Sequence, residues 1–257
     1  MQSNERPATA DVFGIPYAIT DYTDAAKRVV THAVARTSFS VFALPVHGVV
    51  ERRRDAEFAA AIDSASLVVP DGQPIRWVMN WLHGAGLTDR VYGPTLLHHV
   101  LASPRETEFR VFVYGGRTIE VQQAFVRHIE QQYPHVVVCG AYREERPDVQ
   151  TLSAAIVQDT KPNLVVVGLG CPKQEKWIAT NQNQIDAALM GVGAAFSFFS
   201  GDQQSAPQWM QDRGLEWLYR LIKEPKRLWR RYFYTNTVFI ILVFKAFANR
   251  AILKLIR

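Results

Sequence analysis

The chain has 257 residues, 48% of them hydrophobic, and a net charge of +5. That size supports one full-sized core, in one or two domains, and the composition excludes collagen-like and low-complexity classes. Two cysteines without zinc-type spacing (Cys139 and Cys171) and an N-terminus lacking an apolar signal core exclude a secreted disulfide framework and predict a reducing, cytoplasmic setting with no structural metal.

In chain order, short apolar runs alternate with amphipathic stretches. Strands are predicted at Asp11–Ile15, Ser40–Leu44, Leu67–Val69, Arg110–Tyr114, Val136–Gly140, Leu164–Val167 and Ala188–Val192. Helices are predicted at Tyr22–Ala35, Val50–Ala65, Pro74–Leu82, Thr95–Leu101, Thr118–Gln132, Val149–Thr160 and Lys173–Gln184. Continuous Val/Ile/Leu strands separated by helices predict an α/β fold, a Rossmann-like parallel sheet with helices on both faces. Residues 1–200 are expected to form this domain, and 201–257 a basic helical appendage. No internal repeat or long linker interrupts the pattern.

Charge is divided unevenly. Residues 213–257 hold 11 Lys and Arg against two acids, Glu216 and Glu224, whereas the preceding 212 residues carry 18 basic and 22 acidic groups. Aromatic residues interleave with the cations: Trp217, Tyr219, Trp229, Tyr232, Phe233 and Tyr234. Pro225 is expected to divide the stretch into two short helices. The terminal run VFIILVF (238–244) falls far short of the roughly 20 apolar residues that span a bilayer. An interfacial helix meeting anionic lipid is the favoured reading, and a merely solvated basic face the plainer one. No nucleic-acid-binding module is recognisable, so nucleic acid is not expected as a partner.

Parallel sheets bind ligands at the carboxyl ends of their strands. Here those ends carry PVHG (45–48), PDGQP (70–74), YGGR (114–117), GLGCPKQE (168–175) and GVG (191–193), predicted to converge on one edge. The segment LVVVGLGCPKQEKW (164–177) reads as strand, glycine turn and helix, which aims backbone N–H groups at an anion such as a phosphate. Gly168 and Gly170 shape the turn; Lys173, Gln174 and Glu175 follow in the first helical turn. They read a polar ligand or are ordinary first-turn residues suited to the helix dipole. Asp71 is either a general base at a strand end or, more plainly on local sequence, a cap of the helix that starts near Pro74. Arg90 suits a phosphate or a surface acid, and His47 an acid–base role or local hydrogen bonding. A dinucleotide oxidoreductase fits poorly, since Lys173 stands where the third fingerprint glycine belongs.

Taken together, PDG (70–72), RVYG (90–93), VFVYGG (111–116), VVVGLGCPKQEKW (165–177), GVGAAF (191–196), SAPQW (205–209) and GLEWLYRLIKEPKRLWRRY (214–232) resemble the WecG/TagA/CpsF family, glycosyltransferase family 26. The resemblance runs from about Asp11 to Asn236. It implies a bacterial, inverting, metal-independent hexosyltransferase that needs no cofactor. The donor would be a UDP-sugar carrying N-acetylmannosamine or another hexose. The acceptor would be a saccharide on polyprenyl diphosphate, in surface polysaccharide synthesis at the cytoplasmic face of the cell membrane.

Residue by residue, the resemblance implies Asp71 as base, Gln174 and Glu175 near the UDP, and Arg90 on the diphosphate. Further substrate contacts are expected from His47, Thr95, Gly115, Gly116, Gly168, Gly170 and Lys173. The appendage would bring Arg220, Lys226, Arg227, Arg230 and Arg231 to close the site and bind an anionic membrane surface as a peripheral protein. Self-association is left open. Two departures stand out: Pro45 where many members have Asn, with His47 nearby, and Thr95 where many have Asp. The alternative to an enzyme is a non-catalytic nucleotide-binding protein recruited to membranes.

Overall fold

The computed structural model describes residues 7–104, 107–145, 152–193, 195–201 and 204–255. The chain opens with a hairpin, β1 (Thr9–Val12) and β2 (Ile15–Ala18), then α1 (Tyr22–Ala35) and β3 (Phe39–Leu44). Helices α2 (Val46–Arg52) and α3 (Ala56–Asp63) lead to β4 (Leu67–Pro70), α4 (Gln73–His83) and α5 (Gly93–Ala102). Next come β5 (Phe109–Gly115), α6 (Ile119–Gln132), β6 (Val136–Tyr142), α7 (Ala154–Asp159) and β7 (Leu164–Gly168). Then follow α8 (Lys173–Asn181), a 3-10 turn (Gln182–Gln184), β8 (Ala188–Gly191) and α9 (Ala195–Phe199). The chain ends in α10 (Gln208–Asp212), α11 (Glu216–Lys223) and α12 (Pro225–Leu255).

Six strands form one parallel sheet in the order β4-β3-β8-β7-β5-β6. Alternation of side chains along each strand divides the core into two layers. Val111 and Val113 of β5 and Val166 of β7 pack under α1, α5, α6 and α9. Phe112, Tyr114, Val165 and Val167 face the other way, into the layer with the hairpin, α3, α4 and α8. Burial on both faces is why these strands read as unbroken apolar runs. The doubly wound α/β architecture expected from the sequence is the one observed.

Three elements depart from expectation. The predicted strand Asp11–Ile15 is the turn of a hairpin: Phe13 and Gly14 both take positive φ (55° and 97°), and Asp11 Oδ1 accepts the Gly14 N–H at 3.0 Å. The predicted helix Val50–Ala65 is two helices. Asp55 breaks it by accepting the Phe58 N–H at 3.0 Å, an N-cap that satisfies a new helix start instead of continuing the old one. Pro225 marks the expected break, with α11 ending at Lys223, but the second helix is not short and no separate third piece follows it among the described residues. Pro225 stands at the first position of a single 31-residue helix, where a missing N–H costs nothing, and the helix runs on for about 46 Å at 1.5 Å per residue. Within the predicted helix Val149–Thr160, residues 149–151 lie outside the described residues, as do Ala194 of the GVGAAF segment and Arg257.

A composite cleft at the carboxyl edge of the sheet

The ends of β3, β4, β5, β7 and β8 border a single cleft of about 1090 Å³, roofed by α11 and α12. Asp71 sits immediately beyond β4. Its backbone N–H bonds Leu44 O at 3.3 Å, while Val91 N–H bonds Pro70 O at 2.9 Å, so the strand end is clamped from both sides. The capping reading of Asp71 does not hold. Gly72, at φ 117°, is the N-cap of α4, and no side chain caps that helix. The carboxylate instead accepts the Gly93 N–H and lines the cleft. Burial pushes its pKa up to about 6; the charges of Arg90 and Arg220 and the Gly93 bond oppose the shift. A carboxylate that titrates near 6 is both ionised and basic at neutral pH, the combination a general base needs.

Three strand spacings of roughly 4.8 Å separate β4 from β7, so Asp71 and the glycine turn face each other across about 14 Å of sheet edge. The turn is rigid. Gln174 Oε1 accepts the N–H groups of Gly170 (3.2 Å) and Gly193 (2.9 Å), tying the loop after β7 to the loop after β8. Gln174 Nε2 in turn donates to Glu175 Oε1 at 2.8 Å. Glu175 is fully buried beside the Cys171 thiol, and burial raises its pKa to about 7. On the neighbouring strand, Gly115 takes φ 106°, and a Cβ there would lie 2.7 Å from Gly168 O. Only glycine permits that approach. Gln122 bridges Gly115 O (2.8 Å) and Tyr142 O (2.7 Å), which fixes the third loop.

His47 lies at the start of α2, on the cleft wall. Burial, with Arg231 and Arg54 nearby, pushes its pKa down to about 4, so the imidazole is neutral at pH 7. Its Nδ1 is one of six buried polar side-chain atoms without a hydrogen-bond partner among the described residues. Three of the others (Gln73 Oε1, Arg143 Nε and Glu175 Oε2) also belong to cleft residues. Unsatisfied buried groups concentrated at one cavity mark where a polar ligand would complete the bonding.

Of the residues singled out in the sequence, the fold gathers Asp71, His47, Gly115, Gly116, Gly168 and Gly170 around this cleft. Lys173, Gln174, Glu175, Arg220, Arg227 and Arg231 join them. Arg90, Thr95, Lys226 and Arg230 do not line it. Arg90 is buried, its guanidinium ion-paired with Glu216, bonded to Gln211 Oε1 at 3.0 Å and stacked 4.7 Å from the Tyr92 ring. It therefore fastens α10 and α11 to the sheet edge instead of standing free for a phosphate. Arg230 points to the Trp229 ring.

Sequence reading missed Arg143 and Glu144, which follow β6 and line the cleft. Glu144 accepts the Tyr114 hydroxyl at 2.6 Å. Their place beyond a strand's carboxyl end was the available signal. It also missed Trp77 and Trp81 on α4, whose i,i+4 spacing marks one helix face.

Residues 10–252 match the glycosyl transferase WecG/TagA/CpsF family. An N-acetylglucosaminyldiphosphoundecaprenol N-acetyl-beta-D-mannosaminyltransferase from Bacillus subtilis is 32% identical over 179 residues, covering 69% of this chain and 68% of that protein. A protein of the same name from Staphylococcus aureus strain MW2 is 27% identical over 235 residues, 90% of this chain and 91% of the relative. The match spans the sheet, the glycine turns and the helices that roof the cleft, and the chain belongs to the WecG/TagA/CpsF family of glycosyltransferases.

Proposed function

We propose that this protein transfers a hexosyl unit, of the N-acetylmannosamine type or a related hexose, from a UDP-sugar to a saccharide on polyprenyl diphosphate. The product would feed bacterial surface polysaccharide synthesis. The relatives' names supply the acceptor class. The observation that carries the reading is Asp71, a carboxylate of raised pKa, facing the pinned glycine turns across a cleft that α11 and α12 line with arginine.

The step is a single displacement with inversion. Asp71 takes the proton of the acceptor hydroxyl as that oxygen bonds to the anomeric carbon. The bond from that carbon to the UDP oxygen breaks with its electron pair, and UDP leaves from the opposite face. Charge grows on the leaving diphosphate, so groups aimed at it lower the barrier. The glycine turns at Gly115, Gly116, Gly168 and Gly170, which let a ligand approach the backbone closely, together with Lys173, suit the donor diphosphate. Arg220, Arg227 and Arg231 stand on the acceptor side. Arg90 acts as a positioning residue through Glu216. Neutral His47 offers one hydrogen bond to a sugar hydroxyl, while Thr95 shapes α5 beside the site. With arginines supplying the positive charge, turnover is expected to persist in a chelator.

No helix among the described residues is long and apolar enough to cross a membrane. On α12, Trp229 (51% exposed), Phe233 (73%) and Ile241 (48%) do not line the cleft and stand exposed on a helix rich in Lys and Arg. That surface supports peripheral binding of residues 201–257 to the anionic cytoplasmic face of the membrane. The deciding experiment incubates the protein with a panel of UDP-sugars and a lipid-diphosphate acceptor, with products read by mass. Asp71→Asn should bind UDP and form almost no product. Wild-type turnover in that variant removes the proposed base, and UDP binding without product from any donor leaves only a nucleotide-binding protein.

A further inference from the structure

The cleft exceeds the upper end of the 300–1,000 Å³ typical of a single small-molecule site. Its surplus volume has a distinct character. Along α12 the cleft-facing residues fall at helical spacing and change chemistry with distance. Arg227, Arg231, Thr235 and Asn236 come first, then Phe239, Ile240, Val243, Phe244 and Phe247. Helix α4 does the same across the gap, from Gln73 beside the Asp71 loop to Trp77, Val78 and Trp81. The two apolar halves meet: Trp81 stacks on Phe247 with ring centroids 3.6 Å apart, and Arg250 Nη1 donates to Trp81 O at 2.6 Å. Phe239 is packed, yet Ile240 (51% exposed), Phe244 (68%) and Phe247 (49%) line the cavity while remaining open.

We propose that this groove between α4 and α12 holds the first isoprenoid units of the acceptor's polyprenyl chain. The inference rests on the lipid-linked acceptor proposed above and assigns its hydrocarbon a place. Charge complementarity selects the occupant. A ligand seated here needs an anionic group at the arginine end and an apolar chain running toward Trp81. From Phe239 to Phe247 the apolar half extends about 12 Å along the helix, enough for a few prenyl units and too short for a whole chain. Trp229 and Phe233 continue the Ile240 and Phe244 face toward the start of α12 but do not line the groove.

Calorimetry in detergent-free buffer tests the assignment with inorganic diphosphate, geranyl diphosphate and farnesyl diphosphate as probes. In the wild type, affinity should rise tenfold or more from inorganic diphosphate to farnesyl diphosphate. Phe247→Ala and Trp81→Ala should flatten that rise, while Phe247→Leu and Trp81→Phe, which keep an apolar wall, should restore most of it. Equal affinity for all three probes in the wild type overturns the proposal, as does an unchanged rise in the alanine variants. If Phe247→Ala instead loses binding to anionic phospholipid vesicles and keeps the chain-length dependence, the patch is a bilayer contact and the groove assignment falls. Absence of sugar transfer to any acceptor, with the chain-length dependence intact, removes the enzymatic reading and leaves the groove standing.

Discussion

Asp71 carries opposite consequences for catalysis and for stability, and the two are separable by pH. Its pKa is 3.8 in an ordinary setting and about 6 in the fold, with burial as the main cause. Below pH 3.8 the carboxyl is protonated whether the chain is folded or not, so the shift has no effect on stability. Between 3.8 and 6 the unfolded chain releases its proton first, and stability falls as pH rises. Above 6 the penalty is complete, about 3 kcal/mol as an upper bound. Asp71→Asn removes the ionisable group and keeps an acceptor for the Gly93 N–H. It should therefore raise the melting temperature at pH 8 by about 6–10 °C and leave it nearly unchanged at pH 4. The same variant should lose about 10²–10⁴-fold in turnover, the usual contribution of a positioned base. Wild-type kcat/KM should fall tenfold per pH unit below about 6, as the base becomes protonated. Paired thermal melts at the two pH values, with product formation followed in parallel, decide the matter. A variant equally destabilised at pH 4 and pH 8 would refute the claim that a buried charge is held at this strand end.

The other predictions concern how the cleft is built. Gln174→Ala leaves the Gly170 and Gly193 N–H groups without their acceptor and should cost about 1–3 kcal/mol in chemical denaturation, with a several-fold loss of UDP affinity. Gly115→Ala combines a positive φ with a 2.7 Å approach to Gly168 O and should lower stability by about 3 kcal/mol or more; a melt within 2 °C of wild type would contradict the geometry. Glu216→Ala strips Arg90 of its carboxylate. Because Gln211 and the Tyr92 ring still hold the guanidinium and Glu216 is 22% exposed, the loss should be about 1–3 kcal/mol, below that of a fully buried pair. Faster proteolysis within residues 204–255 should accompany it.

What the sequence disclosed and what it hid follow from the range of each interaction. The strands were legible because burial on both faces demands unbroken Val, Ile and Leu, as in Leu164–Val167. The site edge was legible because polar or glycine turns follow those strands. The hairpin was not: Phe13 takes a left-handed conformation inside an apolar run, and only Gly14 hinted at it. The break at Asp55 depends on one side chain choosing a cap over helix continuation. Pro225 carries the same letter whether it ends a helix or starts one. Arg90 shows the limit most clearly. Its charge is visible in the sequence, but Gln211 and Glu216, more than 120 residues away, decide what it touches. The groove along α12 was equally hidden, since its periodicity gains meaning only once that face lies opposite Trp77 and Trp81.

The two walls of the cleft are made differently, and this separates their expected contributions. The sheet edge is held by short-range bonds within one rigid body: Gln174 joins two loops, Gln122 fixes the third, and the Gly115–Gly168 contact leaves no room for rearrangement. Such a wall is preorganised, so a donor diphosphate bound there meets loops that need not rearrange. The opposite wall, α11 and α12, is attached through side chains widely spaced in sequence, among them the Arg90–Glu216 pair, the edge-on rings of Phe13 and Phe239, the Trp81–Phe247 stack and the Arg250 bond to Trp81 O. It carries Arg220, Arg227 and Arg231, the charges that a departing diphosphate or an incoming lipid diphosphate would meet. Changes on the sheet side should therefore act first on nucleotide affinity. Changes in the helical wall should act on acceptor KM and on kcat together, because removing an arginine there weakens both acceptor binding and the transition state. An appendage substitution such as Arg231→Gln that altered UDP affinity alone would place the donor against α12 and reverse the assignment of the two walls.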